Sequence, residues 1–88
     1  MHDSSLVLYG TSWCGDTWRT RTFLDKKSIP YQWIDIDRDR AGREFVERTN
    51  HGNRSVPTLV FPDGSILVEP SIEELTSRLI ETGLLKPA

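Results

Sequence analysis

The stretch SSLVLYGTSWCGDTW, residues 4–18, decides the fold. Its first part, Ser4–Tyr9, is a short and mainly apolar run that stops at Gly10, which predicts a buried strand because the run is too short for a helix. Gly15–Lys27 contains no proline and has its one glycine at the first position, so it predicts a helix. Cys14, the only cysteine of the chain, therefore lies where a strand passes into a helix.

The middle of the chain continues this alternation. Tyr31–Ile36 alternates and is rich in aromatic and β-branched residues, which is typical of a strand. Apolar residues at helical spacing predict a second helix from about Asp39 to Thr49. Pro57–Phe61 and Ser65–Val68 flank a Pro-Asp-Gly turn, so they predict the two strands of a hairpin.

The last element is a helix capped by Ser71, with Glu74 at the capping-box position and Gly83 as its end. The order is then strand, helix, strand, helix, strand, strand, helix. The first two strands must be parallel and the hairpin antiparallel, which makes the sheet mixed. We predict one α/β domain over residues 1–88, with a four-stranded mixed sheet and three helices. Cys14 would lie at the carboxyl end of a parallel strand, where such sheets bind ligands.

Composition narrows the classes of function. Eleven Lys and Arg against 13 Asp and Glu give a net charge of -2, so no global field attracts nucleic acid or an anionic membrane. The N-terminal apolar run, Leu6–Gly10, is too short for a signal-peptide core or a membrane span. One free thiol without paired cysteines suits a reducing compartment. We therefore expect a cytoplasmic protein with no nucleic-acid or membrane partner.

The single sulfur constrains any redox chemistry. Because Cys14 has no second cysteine to pair with, a redox cycle must pass through a mixed disulfide with another molecule. The amides and dipole of a helix start favour the thiolate, while the charge of Asp16 opposes it. The hydroxyl of Thr17 is placed to donate a hydrogen bond to that thiolate, and Gly15 permits close approach of a second molecule. The alternative is that Cys14 is a small buried apolar residue.

These residues carry a resemblance to a known family. The segments Thr11–Gly15, Asn50–Thr58 and Phe61–Ser65 resemble the glutaredoxins, and most closely the mycoredoxin-like branch. The resemblance implies a thioredoxin fold and a Cys14 that attacks mixed disulfides. It also implies a cis peptide bond between Val56 and Pro57, facing the cysteine.

One departure from the family sets the route of the reaction. Thr17 stands where dithiol members have their second cysteine, so the monothiol route remains. The resemblance then implies glutathione or mycothiol as cosubstrate, no tightly bound cofactor, mixed-disulfide client proteins as partners, and a monomer. Cys14–Thr17 reads Cys-Gly-Asp-Thr instead of the Cys-Gly-Phe-Ser of iron-sulfur-carrying glutaredoxins. A cluster carrier and a docking module without turnover are the alternatives.

The same resemblance suggests a binding site for the small thiol. It assigns backbone contacts to Val56, beside Pro57, and carboxylate recognition to Arg54 and to the helix start at Ser71. Each has a structural alternative, since Ser71 is also an N-cap and Arg54 could be a solvated loop residue. Trp13 is either an exposed apolar wall for a substrate or a side chain packed over the helix start. The family's Gly-Gly before the last helix is absent.

No metal site is predicted. Asp35, Asp37 and Asp39 alternate like the start of a calcium loop, but the glycine and the acid due at the sixth and twelfth positions are missing. His2 and His51 are too few and too far apart in sequence to form a ligand cluster.

Overall fold

The structure is a computed structural model that describes residues 5–88. Ser4, where the first strand was predicted to begin, and His2 lie outside the described residues. The elements are, in order, β1 (Leu6–Gly10), α1 (Gly15–Lys26), β2 (Tyr31–Asp35), α2 (Arg40–Thr49), β3 (Thr58–Val60), β4 (Ile66–Val68) and α3 (Ile72–Glu81). This order confirms the predicted alternation. None of these helices is long and apolar enough to cross a membrane.

The four strands form one mixed sheet in the order β2-β1-β3-β4. β1 pairs in parallel with β2, with Leu6 opposite Tyr31, and antiparallel with β3, with Tyr9 opposite Thr58. β3 and β4 form the predicted hairpin. β3 is shorter than predicted at both ends: it begins after Pro57, which has no N–H to give to a ladder, and it ends at Val60, one residue before Phe61.

Helices cover both faces of the sheet. On one face α1 and α3 enclose a buried core whose members are all apolar, namely Leu6, Leu8, Leu24, Ile29, Leu59, Phe61, Leu75 and Leu79. On the other face α2 packs closely, with the rings of Tyr9 and Phe45 stacked at 4.8 Å. A Cβ added to Gly42 of α2 would lie 2.6 Å from Ile34, so a larger residue there would push this helix off the sheet.

The starts of the three helices differ. The Asp39 carboxylate accepts a hydrogen bond from the Gly42 amide at 2.8 Å and caps α2. Ser71 caps α3 in the predicted capping box with Glu74. Cys14 is the N-cap residue of α1, and its side chain makes no capping hydrogen bond.

Candidate active site

The turn after β1 presents Cys14 at the first turn of α1. The Cys14 amide donates to the Thr11 carbonyl at 3.4 Å, and its own carbonyl accepts from the Trp18 amide at 3.0 Å. The thiol is free and partly exposed, so Cys14 is not a member of the buried core. A Cβ built on Gly15 would meet nothing within 4 Å, which leaves open space beside the cysteine.

Thr17 points into the interface between α1 and β1. Its side chain is 1% exposed and lies against Gly10, where an added Cβ would be 2.6 Å from Thr17 Cγ2 and 2.8 Å from Oγ1. Within residues 5–88 its hydroxyl has no hydrogen-bond partner, so the predicted bond to the thiol is not formed in this structure. The physical reason is that close packing on the backbone of Gly10 determines where this side chain sits. A role for Thr17 in the reaction stays a prediction.

Sequence reasoning missed a second buried hydroxyl. Thr11 is 3% exposed, and its Oγ1 has no partner among the described residues. Thr11 and Thr17 are therefore buried, unsatisfied hydroxyls three residues on either side of Cys14. Unsatisfied buried hydroxyls are uncommon in proteins and call for an explanation. In the sequence, the one pattern that links the two threonines is their equal spacing from the cysteine, three residues before it and three after it.

Exposed tryptophans flank the cysteine. Trp13 is 75% exposed, and its Nε1 donates to Asp37 Oδ2 at 2.8 Å. Trp13 is thus exposed and not packed over the helix start, and a role as a wall for a substrate stays a prediction. Trp18 is 67% exposed and borders a shallow groove with Phe23 and Ile72.

The Val56-Pro57 peptide bond is cis, which confirms the expectation drawn from the resemblance. Because Tyr9 pairs with Thr58, Pro57 lies at the end of the sheet where β1 leads into Cys14. Pro57 is buried, and its carbonyl accepts a hydrogen bond from the Glu69 amide at 2.8 Å. Outside the strands, no backbone hydrogen bond between the described residues involves the half-buried Val56, and its proposed contact with a ligand stays a prediction.

A cleft of about 340 Å³ separates the first turns of α1 and α3. The α1 side contributes Asp16, Arg19 and Thr20, and the α3 side contributes Glu69, Pro70, Ser71, Ile72 and Glu74. Ser71 lies on this wall, but its hydroxyl accepts from the Glu74 amide at 3.0 Å and its amide donates to Glu74 Oε1 at 2.8 Å. The hydroxyl and the amide of Ser71 are therefore already engaged in capping α3, and a contact between Ser71 and a ligand remains a prediction.

Arg54 is not brought to this cleft. Its Nε donates to Glu47 Oε2 of α2 at 2.7 Å, which already supplies a carboxylate partner. Binding a ligand carboxylate would require Arg54 to give up or share that ion pair. Asp37 and Asp39 of the discounted calcium pattern hold Trp13 and cap α2 respectively.

One ionisable side chain close to the turn has a shifted pKa. Burial, and then the charge of Asp39, raise the pKa of the Tyr9 phenol. The phenol thus stays protonated at neutral pH. It stacks on Phe45 of α2, on the opposite face of the sheet from α1, so it is not a proton carrier for Cys14.

Comparison with known proteins gives concordant results. The family model described as Glutaredoxin matches residues 6–66. A Mycobacterium tuberculosis protein named "putative glutaredoxin" is 44% identical over 81 residues, which cover 92% of this chain and 96% of that protein. Mycoredoxin 1 of Corynebacterium glutamicum is 33% identical over 76 residues, covering 86% and 94% of the two chains.

Solved structures agree on the architecture. A crystal structure of a thioredoxin-like protein superposes with a TM-score of 0.72 and 25% identity, over 83% of this chain and 97% of the other. The crystal structure of a buckwheat glutaredoxin–glutathione complex gives a TM-score of 0.68 at 23% identity, over 93% and 82% of the two chains. The fold is therefore thioredoxin-like, with three helices and a four-stranded mixed sheet.

Proposed function

This chain belongs to the glutaredoxin family, and we propose that it reduces mixed disulfides between proteins and a low-molecular-weight thiol by a monothiol route. The observation that carries the proposal is one free, partly exposed cysteine at a helix start, in a chain with no second thiol. A helix start favours the thiolate, which is the nucleophile in thiol-disulfide exchange. Thiol-disulfide exchange, as the general type of reaction, follows from family membership.

The cycle has two exchanges. In the first, the Cys14 thiolate attacks the small-thiol sulfur of a client mixed disulfide; a Cys14–small-thiol disulfide forms as the client sulfur leaves as a thiolate and takes a proton. In the second, the thiolate of another small-thiol molecule attacks the small-thiol sulfur of that adduct. The small thiol leaves as its own disulfide, and Cys14 returns as a thiolate. In total, the S–S bond between client and small thiol is broken and one between two small thiols is formed: one free small thiol is oxidised for each client sulfur that is reduced to a thiol.

The surroundings of Cys14 suggest roles for neighbouring residues in these steps. The space beside Gly15 admits the incoming disulfide, and Trp13, held by Asp37, offers an apolar wall to it. The backbone groups of Val56, which have no backbone hydrogen-bond partner among the described residues, suit an extended small thiol laid beside Pro57, and Ser71 lies on the wall of the adjoining cleft.

Arg54 would join the site only by turning from Glu47. Among the proposed contacts with the small thiol, the one made by Arg54 therefore has the least structural support. We further propose that glutathione or mycothiol is the cosubstrate, that no cofactor is bound tightly, and that the protein acts as a cytoplasmic monomer.

The test is turnover with defined substrates. One client peptide is prepared as its mixed disulfide with glutathione and with mycothiol, and the enzyme is supplied with the matching free thiol. We expect release of the peptide thiol with at least one of the two, and an adduct of the small thiol on Cys14 visible by mass spectrometry. Absence of both turnover and adduct would refute the proposed function.

A paired substitution tests the role of Thr17. Thr17→Val keeps the shape of the side chain and removes the hydroxyl, whereas Thr17→Ser keeps the hydroxyl and removes the methyl group. If the hydroxyl serves the thiolate, Thr17→Val slows the reaction of Cys14 with iodoacetamide at neutral pH and Thr17→Ser does not. Equal rates in the two variants would leave Thr17 with a packing role alone.

A docking module is the second candidate, because Trp13 and Trp18, which lie on either side of the cysteine in the sequence, are both exposed. This function predicts that Cys14→Ser retains full affinity for a protein partner. An iron-sulfur carrier, the other alternative, predicts visible absorption in freshly purified protein. Disulfide-linked adducts that disappear with Cys14→Ser would instead show that Cys14 itself reacts with the partner.

A further inference from the structure

Glu69 adopts a backbone conformation that is unfavourable for its residue type. Its φ of +49° lies in the left-handed region, which non-glycine residues adopt at a cost. Ser28 and His51 share this conformation within residues 5–88, but each directly follows the C-cap residue of a helix, where it closes the last turn. Glu69 instead precedes a helix, so helix termination does not account for it.

No hydrogen bond or ion pair between the side chain of Glu69 and residues 5–88 offsets this conformational cost. The carboxylate of Glu69 is exposed. The backbone alone is anchored, through the amide that donates to the Pro57 carbonyl at 2.8 Å. A glycine would keep that bond without strain, so the carboxylate itself has no structural role here.

Glu69 lies on the wall of the cleft that adjoins the proposed thiol site. Asp16 and Glu74 also line this cleft, with Arg19 as the one cation. Asp16 binds Arg19 at 2.6 Å, and Glu74 accepts from the Ser71 amide. The uncommitted charge of the cleft is therefore the carboxylate of Glu69. A ligand carboxylate placed here meets repulsion, whereas a neutral hydrogen-bond donor meets an acceptor.

Resting on the proposed function, we infer that Glu69 is a specificity-determining residue that disfavours small thiols carrying a carboxylate. The site then takes best a thiol whose non-reacting part is uncharged and offers hydrogen-bond donors. Because Glu69 is held next to Pro57, its charge acts on the part of the thiol that lies in the cleft. It does not act on the sulfur exchange itself, so the effect depends on the charge of the ligand.

The test compares two substrates that share the reacting sulfur and differ in whether their carboxylates are charged. One client peptide is prepared as its mixed disulfide with glutathione and with glutathione diethyl ester, in which the carboxylates are neutralised. For the unaltered protein we expect kcat/KM to be higher for the ester by roughly threefold to tenfold at low salt. About 0.5 M NaCl should reduce that ratio because it screens exposed charges.

Variants assign the effect to one residue. Glu69→Gln and Glu69→Gly should each bring the ratio close to one, by raising kcat/KM for the glutathione substrate. Glu73→Gln is the matched control, since Glu73 lies in the same first turn of α3, is exposed and does not line the cleft. It should leave the ratio unchanged. An unchanged ratio in Glu69→Gln, or an equal change in Glu73→Gln, would overturn the inference.

The first exchange alone gives a second readout. The rate at which Cys14 takes up the small thiol from each disulfide is followed by mass spectrometry, without a turnover cycle. The same charge preference is expected there, and its absence overturns the inference even if turnover is slow. Adducts that form without charge preference leave the proposed function standing, whereas no adduct with either disulfide overturns both proposals.

Discussion

The helix starts that face each other across the cleft are built in different ways. At α3, Ser71 and Glu74 satisfy each other's backbone amides in a complete capping box. At α1, the N-cap residue is Cys14, whose sulfur is a weak acceptor and caps nothing. The start of α1 is held instead by Thr17, packed tightly on Gly10. The residue that packs to stabilise the start of α1, Thr17, is thus different from the residue that carries the thiol, Cys14.

This difference shows how a reactive group can sit at a helix start without being used to hold the helix. A capping side chain is committed to backbone amides, whereas the side chain of Cys14 makes no capping hydrogen bond and its thiol is free. The local stability that a cap would supply is provided by packing one turn further along. The predictions below test this contrast, from the largest expected effect to the smallest.

Replacing the thiol should separate activity from stability. Cys14→Ser is expected to abolish turnover, because the only nucleophilic sulfur is lost. It should also raise the free energy of unfolding by about 1 kcal/mol, since serine is a good N-cap. Urea denaturation and the turnover assay measure the two effects. Cys14→Ala is the control, because it loses activity without adding a cap; equal stability of the two variants would contradict the contrast.

Filling the contact beneath α1 should be the most destabilising change. Gly10→Ala places a Cβ 2.6 Å from Thr17 Cγ2, so the helix start must move, at a cost of about 1–3 kcal/mol. Thr17→Ala in the same chain should recover much of this loss in a denaturation experiment. Gly15→Ala is the matched control, since its Cβ meets nothing within 4 Å. Additive effects of Gly10→Ala and Thr17→Ala would show that the two residues are not coupled.

Removing the cap of α3 tests the other side of the contrast. Ser71→Ala is expected to lower the free energy of unfolding by about 1 kcal/mol, because the Glu74 amide loses its acceptor. Ser77→Ala, an exposed position within the same helix, should be neutral or slightly stabilising. Thermal or urea denaturation distinguishes the two variants. An equal effect at the two positions would contradict a stabilising role of the capping box.

The turn between β3 and β4 offers a further comparison, because an exposed side chain there, that of Asp63, accepts hydrogen bonds from Ser65. Hydrogen bonds from the hydroxyl and amide of Ser65 lower the pKa of the Asp63 carboxyl. Because the folded pKa is the lower one, the stabilisation is present above the ordinary value and is lost as pH falls through the lowered pKa. NMR titration should show this, and Ser65→Ala should raise the Asp63 pKa. An unshifted value in the unaltered protein would contradict it.

Much of the fold could be predicted from local sequence. The apolar run of β1, the alternation of β2 and the Ser71–Glu74 cap each act within a few residues, and the structure has all of them. The position of Cys14 at the end of β1 followed from the same local signals. The cis bond before Pro57 came from the resemblance to a family and not from local pattern.

The details of the site depend on contacts between distant segments. Trp13 binds Asp37, 24 residues away, and Arg54 pairs with Glu47 in place of a ligand. Thr17 turns toward Gly10 because the helix lands on the strand at that point. Glu69 reaches the cleft because its amide is tied to Pro57. No spacing rule predicts these contacts, since each requires two elements to be docked first.

The sequence by itself determined the order of strands and helices, the single nucleophilic sulfur and its place at a helix start. Periodicity, turn residues and caps express backbone preferences that act over a few residues, so they can be recognised in a single chain. Only the tertiary structure decided which side chains surround that sulfur, that Thr17 is buried and that the charge of Glu69 borders the cleft. Those features arise from packing across the sheet and between helices, where shape and distance select the partners.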